Sequence, residues 1–236
     1  MITVIIPAFN EEKTIGNCLD SLVKQKTKKK FDVIVVDNNS TDKTNEVTKA
    51  FSKKIDLQII LEKKKGRGVA RKTGFQHATG KILFSTDADT ILPSHWIETL
   101  STGLENGTSI AVTGTSRIID SSTFNNVCFN FFQPLTMKVY RFLLGHYWLS
   151  GFSFAIYKKT YEQAGGFDPE LNAQEDIELS FKVSKIGKIK FVGTVPVIIS
   201  GRRFKDGLIK GLLSYATTFL KLFMFKQKKV VLSDPR

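Results

Sequence analysis

The sequence predicts an α/β fold: a mostly parallel central sheet with helices on both faces. Short Val/Ile-rich runs at 2–6, 33–36, 57–61 and 82–85 are apolar at consecutive rather than alternate positions. Strands buried on both faces read this way. Helix-like stretches follow each run, over about 11–25, 42–53, 67–78 and 94–105. That alternation is the rhythm of parallel crossovers. Polar, acid-bearing loops follow the first, second and fourth runs, at the carboxyl edge where such sheets bind ligands.

The second half of the chain changes character. A strand is expected over 110–115, then an aromatic-rich stretch over 124–148 and an alternating strand over 151–157. A helix is expected over 173–185, one or two strands over 189–199 around Pro196, and helical spacing over 207–225. No internal repeat or linker interrupts the 236 residues, so one continuous domain is expected. With 42% hydrophobic and 24% charged residues the composition is that of a globular protein, which excludes a disordered tail or a collagen. Cys18 and Cys128 are too few for a disulfide framework or a zinc pattern and fit a reducing compartment. Residues 1–7 show neither a basic n-region nor a small-residue cleavage site, so no export signal is expected. The uncharged stretch 142–157 is too short to span a bilayer, which takes ~20 apolar residues.

The three loops are Pro7-Ala8-Phe9-Asn10-Glu11-Glu12, Asp37-Asn38-Asn39-Ser40-Thr41-Asp42 and Thr86-Asp87-Ala88-Asp89-Thr90. One such loop reads equally well as a turn with a helix N-cap. Three at one sheet edge form a convergent set. Asp87 and Asp89 offer two carboxylates at i and i+2, hard oxygen ligands that suit Mg²⁺ or Mn²⁺. By itself the pair reads as a capping turn before the helix near Ser94. The stretch from Lys65 to Gly74 lacks the Gly-Lys-Ser/Thr ending of a phosphate loop; its glycines open a helix whose face carries Arg71. His77, His95 and His146 share no ligand spacing.

These motifs, with Gly66-Arg67-Gly68-Val69-Ala70-Arg71-Lys72-Thr73-Gly74, Gly165-Gly166-Phe167-Asp168 and Glu175-Asp176, resemble in kind and order the signature of family 2 glycosyltransferases with a GT-A fold. The resemblance covers roughly residues 1–204. It implies a nucleotide-sugar-binding half over 1–115 and an acceptor-side half over 116–204, which leaves a basic amphipathic C-terminal segment over 205–236. Pro7, Glu11 and Asp37 would line the nucleotide pocket, with Asp37 facing the base and Arg71 near the base or phosphates. Asp87 would contact the nucleoside. Asp89, with Asp87, would hold Mn²⁺ or Mg²⁺. Asp176 would be the general base toward the acceptor hydroxyl, with Glu175 beside it. The donor would be a nucleotide sugar, commonly a UDP-sugar, and the anomeric centre would invert. Ser200-Gly201-Arg202-Arg203-Phe204 departs from the Gln-x-x-Arg-Trp motif of processive members. Arg202 and Arg203 read either as a clamp on a diphosphate or as a basic surface turn.

Lys and Arg number 35 against 22 Asp and Glu, a net charge of +13. Between 202 and 236, nine basic residues face two acidic ones, an excess of seven. The basic run at 24–30 has no interleaved aromatics, so no nucleic-acid partner is expected. Leu208, Ile209, Leu212, Leu213, Ala216, Phe219, Leu220, Phe223 and Met224 recur at helical spacing, with Lys226, Lys228 and Lys229 beyond. That pattern fits a helix lying on an anionic membrane, or one packed on the core or on a second copy. With the aromatic stretch it suggests a greasy entrance for a lipid-linked or glycan acceptor, on the cytoplasmic face of a membrane.

The leading expectation is therefore an inverting, metal-assisted glycosyltransferase. A sugar nucleotidyltransferase would want a Gly-rich triphosphate loop where Pro7-Ala8-Phe9-Asn10 stands. A non-catalytic basic membrane-binding module is the third reading, and the intact Asp87, Asp89 and Asp176 oppose it.

Overall fold

The computed structural model describes residues 1–204, together with 213 and 217–219. The first four strands are β1 (Ile2–Ala8), β2 (Phe31–Asp37), β3 (Leu57–Leu61) and β4 (Ile82–Ser85). Between and after them lie α1 (Ile15–Val23), α2 (Thr44–Lys49), α3 (Arg67–His77) and α4 (Trp96–Glu105). Then come β5 (Ser109–Thr113), β6 (Ser116–Arg117), α5 (Thr123–Leu144), β7 (Phe154–Tyr157), α6 (Lys158–Gln163) and α7 (Glu175–Ser184). β8 (Lys188–Phe191), β9 (Val197–Ile198) and a 3₁₀ turn, Gly201–Phe204, complete the described elements.

Seven strands form one sheet in the order β3-β2-β1-β4-β7-β5-β8. All neighbours are parallel except β7, which runs antiparallel to both β4 and β5. β6 and β9 form a small parallel pair. The chain's second half thus contributes β7 and β8 to the sheet that its first half begins.

The consecutive apolar positions have a direct cause. Val4, Ile6 and Ala8 of β1 pack with Leu19 and Leu22 of α1 and Trp96 and Leu100 of α4 on one face. Ile5 packs with Ile34, Val36, Ala70 and Phe75 on the other. Both faces are covered by helices, so apolar side chains are needed at successive positions of these strands. Trp96 meets Phe84 edge-on at 5.1 Å and donates its indole N–H to Ser153 Oγ at 2.9 Å. On the opposite face Phe75 gathers Phe154, Tyr161 and Phe167.

Pro7 sits inside a central strand, where proline normally removes a ladder bond. Ile5 C=O accepts from Thr86 N, so odd-numbered residues there face β4. β4 pairs only with Ile2 to Ile5. Pro7 therefore lies just past the end of its neighbour, where no donor is required.

The aromatic-rich stretch forms α5, a single 22-residue helix. Ser122 caps it by accepting from Asn125 N at 3.2 Å, and Gly145 ends it in the left-handed region at φ 80°. The strand expected over 151–157 is confined to β7, because Ser153 N turns back onto Ser150 C=O. The helical spacing expected over 207–225 lies, apart from 213 and 217–219, outside the described residues.

Candidate functional site

The carboxyl ends of β1 and β2 are tied together by their own loops. Asn10 and Asn39 adopt the left-handed region, at φ 52° and 63°, and turn the chain sharply. Asn10 N donates to Ser40 Oγ at 3.0 Å, Thr41 N to Asn10 Oδ1 at 2.8 Å, and Glu11 N to Thr44 Oγ1 at 2.8 Å. Asp37 is buried, and its carboxylate accepts from Ser40 N at 3.0 Å and Asn45 Nδ2 at 3.3 Å. Asn38 donates to the carbonyls of Glu62 and Lys64 and accepts from Gly66 N, fixing the entry into α3. Glu11, Asp37 and Pro7 consequently share one rigid rim.

Arg71 is the hinge of the cluster. Its side chain projects from α3, is 2% exposed, and runs beneath the rim. Nη2 donates to Asp87 Oδ1 at 2.5 Å, Nε to Glu175 Oε1 at 2.9 Å, and Nη1 to Ser85 Oγ and the Gly151 carbonyl. Burial alone would lower its pKa. The charges of Asp87, Glu175 and Asp176 outweigh burial and push it upward, so the guanidinium stays charged. One buried cation thus joins the loop after β4 to the start of α7.

A second cation lies on the outer side. Arg202 Nη2 reaches Glu11 Oε1 at 2.8 Å and Asp89 Oδ2 at 2.9 Å, while Nη1 is 3.3 Å from Glu11 Oε2. Asp89 is pushed up to about 6 by burial and by the neighbouring Asp87 and Glu11 charges, against the pull of Arg202. The fully buried Cys18 thiol is also driven up, first by burial and then by Asp89, Asp87 and Glu11. Three carboxylates therefore share one electrostatic field. Among the described residues, no three acidic, His or Cys side chains converge as a preformed metal cage.

Asp176 stands at the start of α7. Oδ2 accepts from Gly151 N at 2.8 Å and Oδ1 from Ile177 N at 2.8 Å. Burial and the adjacent Glu175 raise it to about 6, with Arg71 opposing. Gln174, just before α7, is left-handed at φ 57°, which swings the two acids inward from the preceding loop. The hydroxyls of Thr86, Thr90 and Ser150, buried around this edge, have no partner among the described residues.

A family model described as Glycosyl transferase family 2 matches residues 3–165. The chain belongs to this family. A Bacillus subtilis (strain 168) protein named "Probable glycosyltransferase YdaM" is 30% identical over 202 residues, covering 79% of this chain and 47% of YdaM. Glycosyltransferase AglE of Haloferax volcanii is 39% identical over 100 residues, 41% of this chain and 33% of AglE. The chain spans about half, or less, of these curated relatives. Its GT-A-type fold is shared with solved structures. One is S. aureus TarS 1–349 in complex with UDP-GlcNAc, with TM-score 0.68, 20% identity, and coverage of 84% of this chain and 58% of that one. Another is mannosyltransferase PcManGT from Pyrobaculum calidifontis with GDP-Man and Mn²⁺, with TM-score 0.73, 23% identity, and coverage of 99% and 66%.

In this family 2 member, Pro7, Glu11, Asp37, Asp87, Asp89, Arg202, Glu175 and Asp176 gather at the carboxyl edge of the sheet. Arg71 lies beneath that edge, where its guanidinium nitrogens all donate to protein groups. The side chain of Arg203 lies outside the described residues. Sequence reasoning missed Ser85, whose hydroxyl bridges Arg71 and the Gly151 carbonyl, and Gly151 itself. A Cβ on Gly151 would lie 2.5 Å from Arg71 Nη2 and 3.0 Å from Asp176 Oδ2. Neither residue carries a sequence signal of its own. The Gly66-x-Gly68 pair is a packing feature: Gly68 N donates to the Leu171 carbonyl, and a Cβ there would strike the carbonyls of Asp168 and Leu171. A cavity of about 410 Å³ between Lys29, Lys30, Lys81, Glu105 and Tyr157 lies at the amino ends of the strands and holds none of these residues.

Proposed function

We propose that the chain is an inverting glycosyltransferase that moves a sugar from a nucleotide sugar, a UDP-sugar in the first instance, to a hydroxyl of a lipid-linked or glycan acceptor. The observation that carries this reading is the single buried Arg71 link between Asp87, on the donor side, and Glu175, the neighbour of Asp176, on the acceptor side. Two carboxylate sites with different duties are thereby held in one rigid frame.

Asp37, fixed by Ser40 and Asn45, is suited to accept from the N–H of a base, and Pro7 and Glu11 flank it. Asp176 takes the proton of the acceptor hydroxyl. The acceptor oxygen then bonds to the anomeric carbon while the carbon–oxygen bond to the nucleoside diphosphate breaks, and that electron pair leaves with the diphosphate. Asp176 suits a base near neutrality because burial and Glu175 lift it to about 6. Arg202 supplies positive charge where negative charge grows on the leaving group.

The residues fit a divalent cation of the shared kind. Mg²⁺ and Mn²⁺ commonly take one or two carboxylates and complete their shell with substrate phosphates. Asp89 and Asp87 would hold it. The Arg202 guanidinium already lying against Asp89 and Glu11 marks the place as one that takes positive charge. Bound there, the ion would add Lewis-acid stabilisation of the departing diphosphate.

The domain reading that goes with this is a donor half over 1–115, an acceptor half over 116–204 and a basic segment over 205–236. The setting is peripheral, on the cytoplasmic face of an anionic membrane. Thermal stabilisation by UDP, GDP, CMP and dTDP, each with and without Mn²⁺ or Mg²⁺, tests the donor site. A ligand at ~100 times its dissociation constant adds ~2.7 kcal/mol. Metal-dependent stabilisation by one nucleotide, lost in Asp89→Ala, is expected. No response to any nucleotide would favour the non-catalytic membrane-binding module.

A further inference from the structure

α5 turns a continuous apolar row outward. A helix on a water-soluble domain turns its apolar stripe inward. In α5 the i, i+3/i+4 row Phe124, Val127, Phe131, Leu135, Val139 and Phe142 faces outward, each between 45% and 86% exposed. Gln133 and Met137 are the buried residues of the helix. At ~1.5 Å per residue, 22 residues make this an apolar ridge about 33 Å long. Ridges of that kind mark interaction surfaces.

The chemistry around the ridge selects its partner. α5 contains no Asp or Glu, and its charged residues are Lys138 and Arg141, both exposed. The 3₁₀ turn Gly201–Phe204 is pinned beside the start of α5: Gly201 N donates to Asp120 Oδ1 at 2.6 Å and Ser200 Oγ to Asp120 Oδ2 at 3.1 Å. The stretch from 202 to 236, with nine basic residues against two acidic, therefore begins next to this ridge. Apolar aromatics combined with one sign of charge suit a surface that is greasy below and anionic above. Among the described residues no helix is long and apolar enough to cross a membrane.

We infer that the outward ridge of α5 is the membrane-docking face of the protein and seats it on anionic lipid with the acceptor side toward the bilayer. The inner face of the same helix supplies the second half of the argument. Tyr140 packs edge-on against Trp148 at 4.8 Å and His146 at 5.6 Å. Its phenol is pushed upward by burial and then by the charge of Asp176. His146 in turn meets Phe181 of α7 edge-on at 4.9 Å, so the helix that Asp176 opens packs behind α5. An acceptor anchored in the bilayer would then present its hydroxyl to the base from the α5 side. This deepens, and rests on, the lipid-linked acceptor named above.

The test uses the full chain and needs no turnover, so it can fail independently of the nucleotide assay. Binding to vesicles of phosphatidylglycerol in phosphatidylcholine is compared with pure phosphatidylcholine for wild type and for Phe131→Glu combined with Phe142→Glu. Both positions are exposed, so folding is expected to survive. The expected result is wild-type binding to anionic vesicles, reduced about tenfold or more in the double variant. As a second readout, the indole introduced by Phe142→Trp should shift its emission to the blue on adding anionic vesicles. Three results overturn the inference: equal binding by the double variant, an emission from the Phe142→Trp variant that vesicles leave unshifted, or a wild-type dimer that the double variant dissolves without any vesicle binding. The last outcome makes the ridge an interface between copies.

Discussion

Arg202 donates to Asp89 at 2.9 Å, so a cation from the last described turn sits on the second acid of the Asp87-Ala88-Asp89 motif. The same guanidinium also reaches Glu11. Without it, the charges of Asp87 and Glu11 would act on Asp89 with no opposing pull from Arg202. Arg202→Gln is expected to separate two affinities. Mn²⁺ alone should bind severalfold more tightly, because the competing cation is gone. UDP in the presence of Mn²⁺ should bind more weakly, because a diphosphate partner is gone. Titration calorimetry with each ligand reads both, and a parallel loss of the two would show that Arg202 does not compete with metal.

Asp176→Asn keeps an oxygen for Gly151 N but removes the base. Transfer should fall by about 10²–10⁴. In wild type the rate should rise through about pH 6 and level above it, following the raised Asp176 carboxyl. An Asn variant that transfers as well as wild type removes Asp176 from this role.

The same substitution should stabilise the fold. Asp176 lies near 6 in the folded chain against 3.8 for an unperturbed carboxyl, so the folded state holds the proton more tightly. Its contribution to stability is complete below the unfolded value and is lost as pH rises through about 6. Asn imitates the protonated form. Asp176→Asn should therefore melt higher than wild type at about pH 7.5, and the gap should narrow by about pH 4.5 and close only below the unfolded value of 3.8. Melting curves at the two pH values check the sign.

Arg71→Met leaves the 4%-exposed Glu175 side chain beside Asp176 without the guanidinium that bonds it. Breaking a buried pair in this way costs about 3–5 kcal/mol. Arg71→Lys should recover little, since one ammonium cannot serve Asp87, Glu175, Ser85 and Gly151 at once. Urea unfolding measures both.

Gly151→Ala inserts a methyl 2.5 Å from Arg71 Nη2. Overpacking of this kind costs about 1–3 kcal/mol. Activity should fall further than stability alone explains, because the methyl also presses on Asp176 at 3.0 Å. Comparing kcat at a temperature where both proteins are fully folded separates the effects.

The first half of the fold is legible because its strands are buried on both faces, and Val33 to Val36 can be little else. The acid-bearing loops are legible because they directly follow those strands, at the edge where such sheets bind ligands. α5 is hard to read as a helix because its apolar residues occur in nearly every register and Pro134 lies inside it. α6, at six residues, is too short to show a period. The role of Arg71 is out of reach for a different reason. Its partners Asp87, Gly151 and Glu175 are 16, 80 and 104 residues away, and no local pattern encodes which carboxylates a buried guanidinium will meet.

The insertion of β7 between β4 and β5 sets the timetable of assembly. As the chain leaves the ribosome, β1 to β4 can associate early, but the outer edge of β4 has no partner until residues 154–157 emerge. β5, though made first, can join the sheet only through β7. In the interval the nascent chain carries both an unpaired strand edge and the newly made Phe-rich α5, two features that favour self-association. Closure of the sheet is thus a late, long-range event, and a chain halted before residue 154 would be a natural client of chaperones.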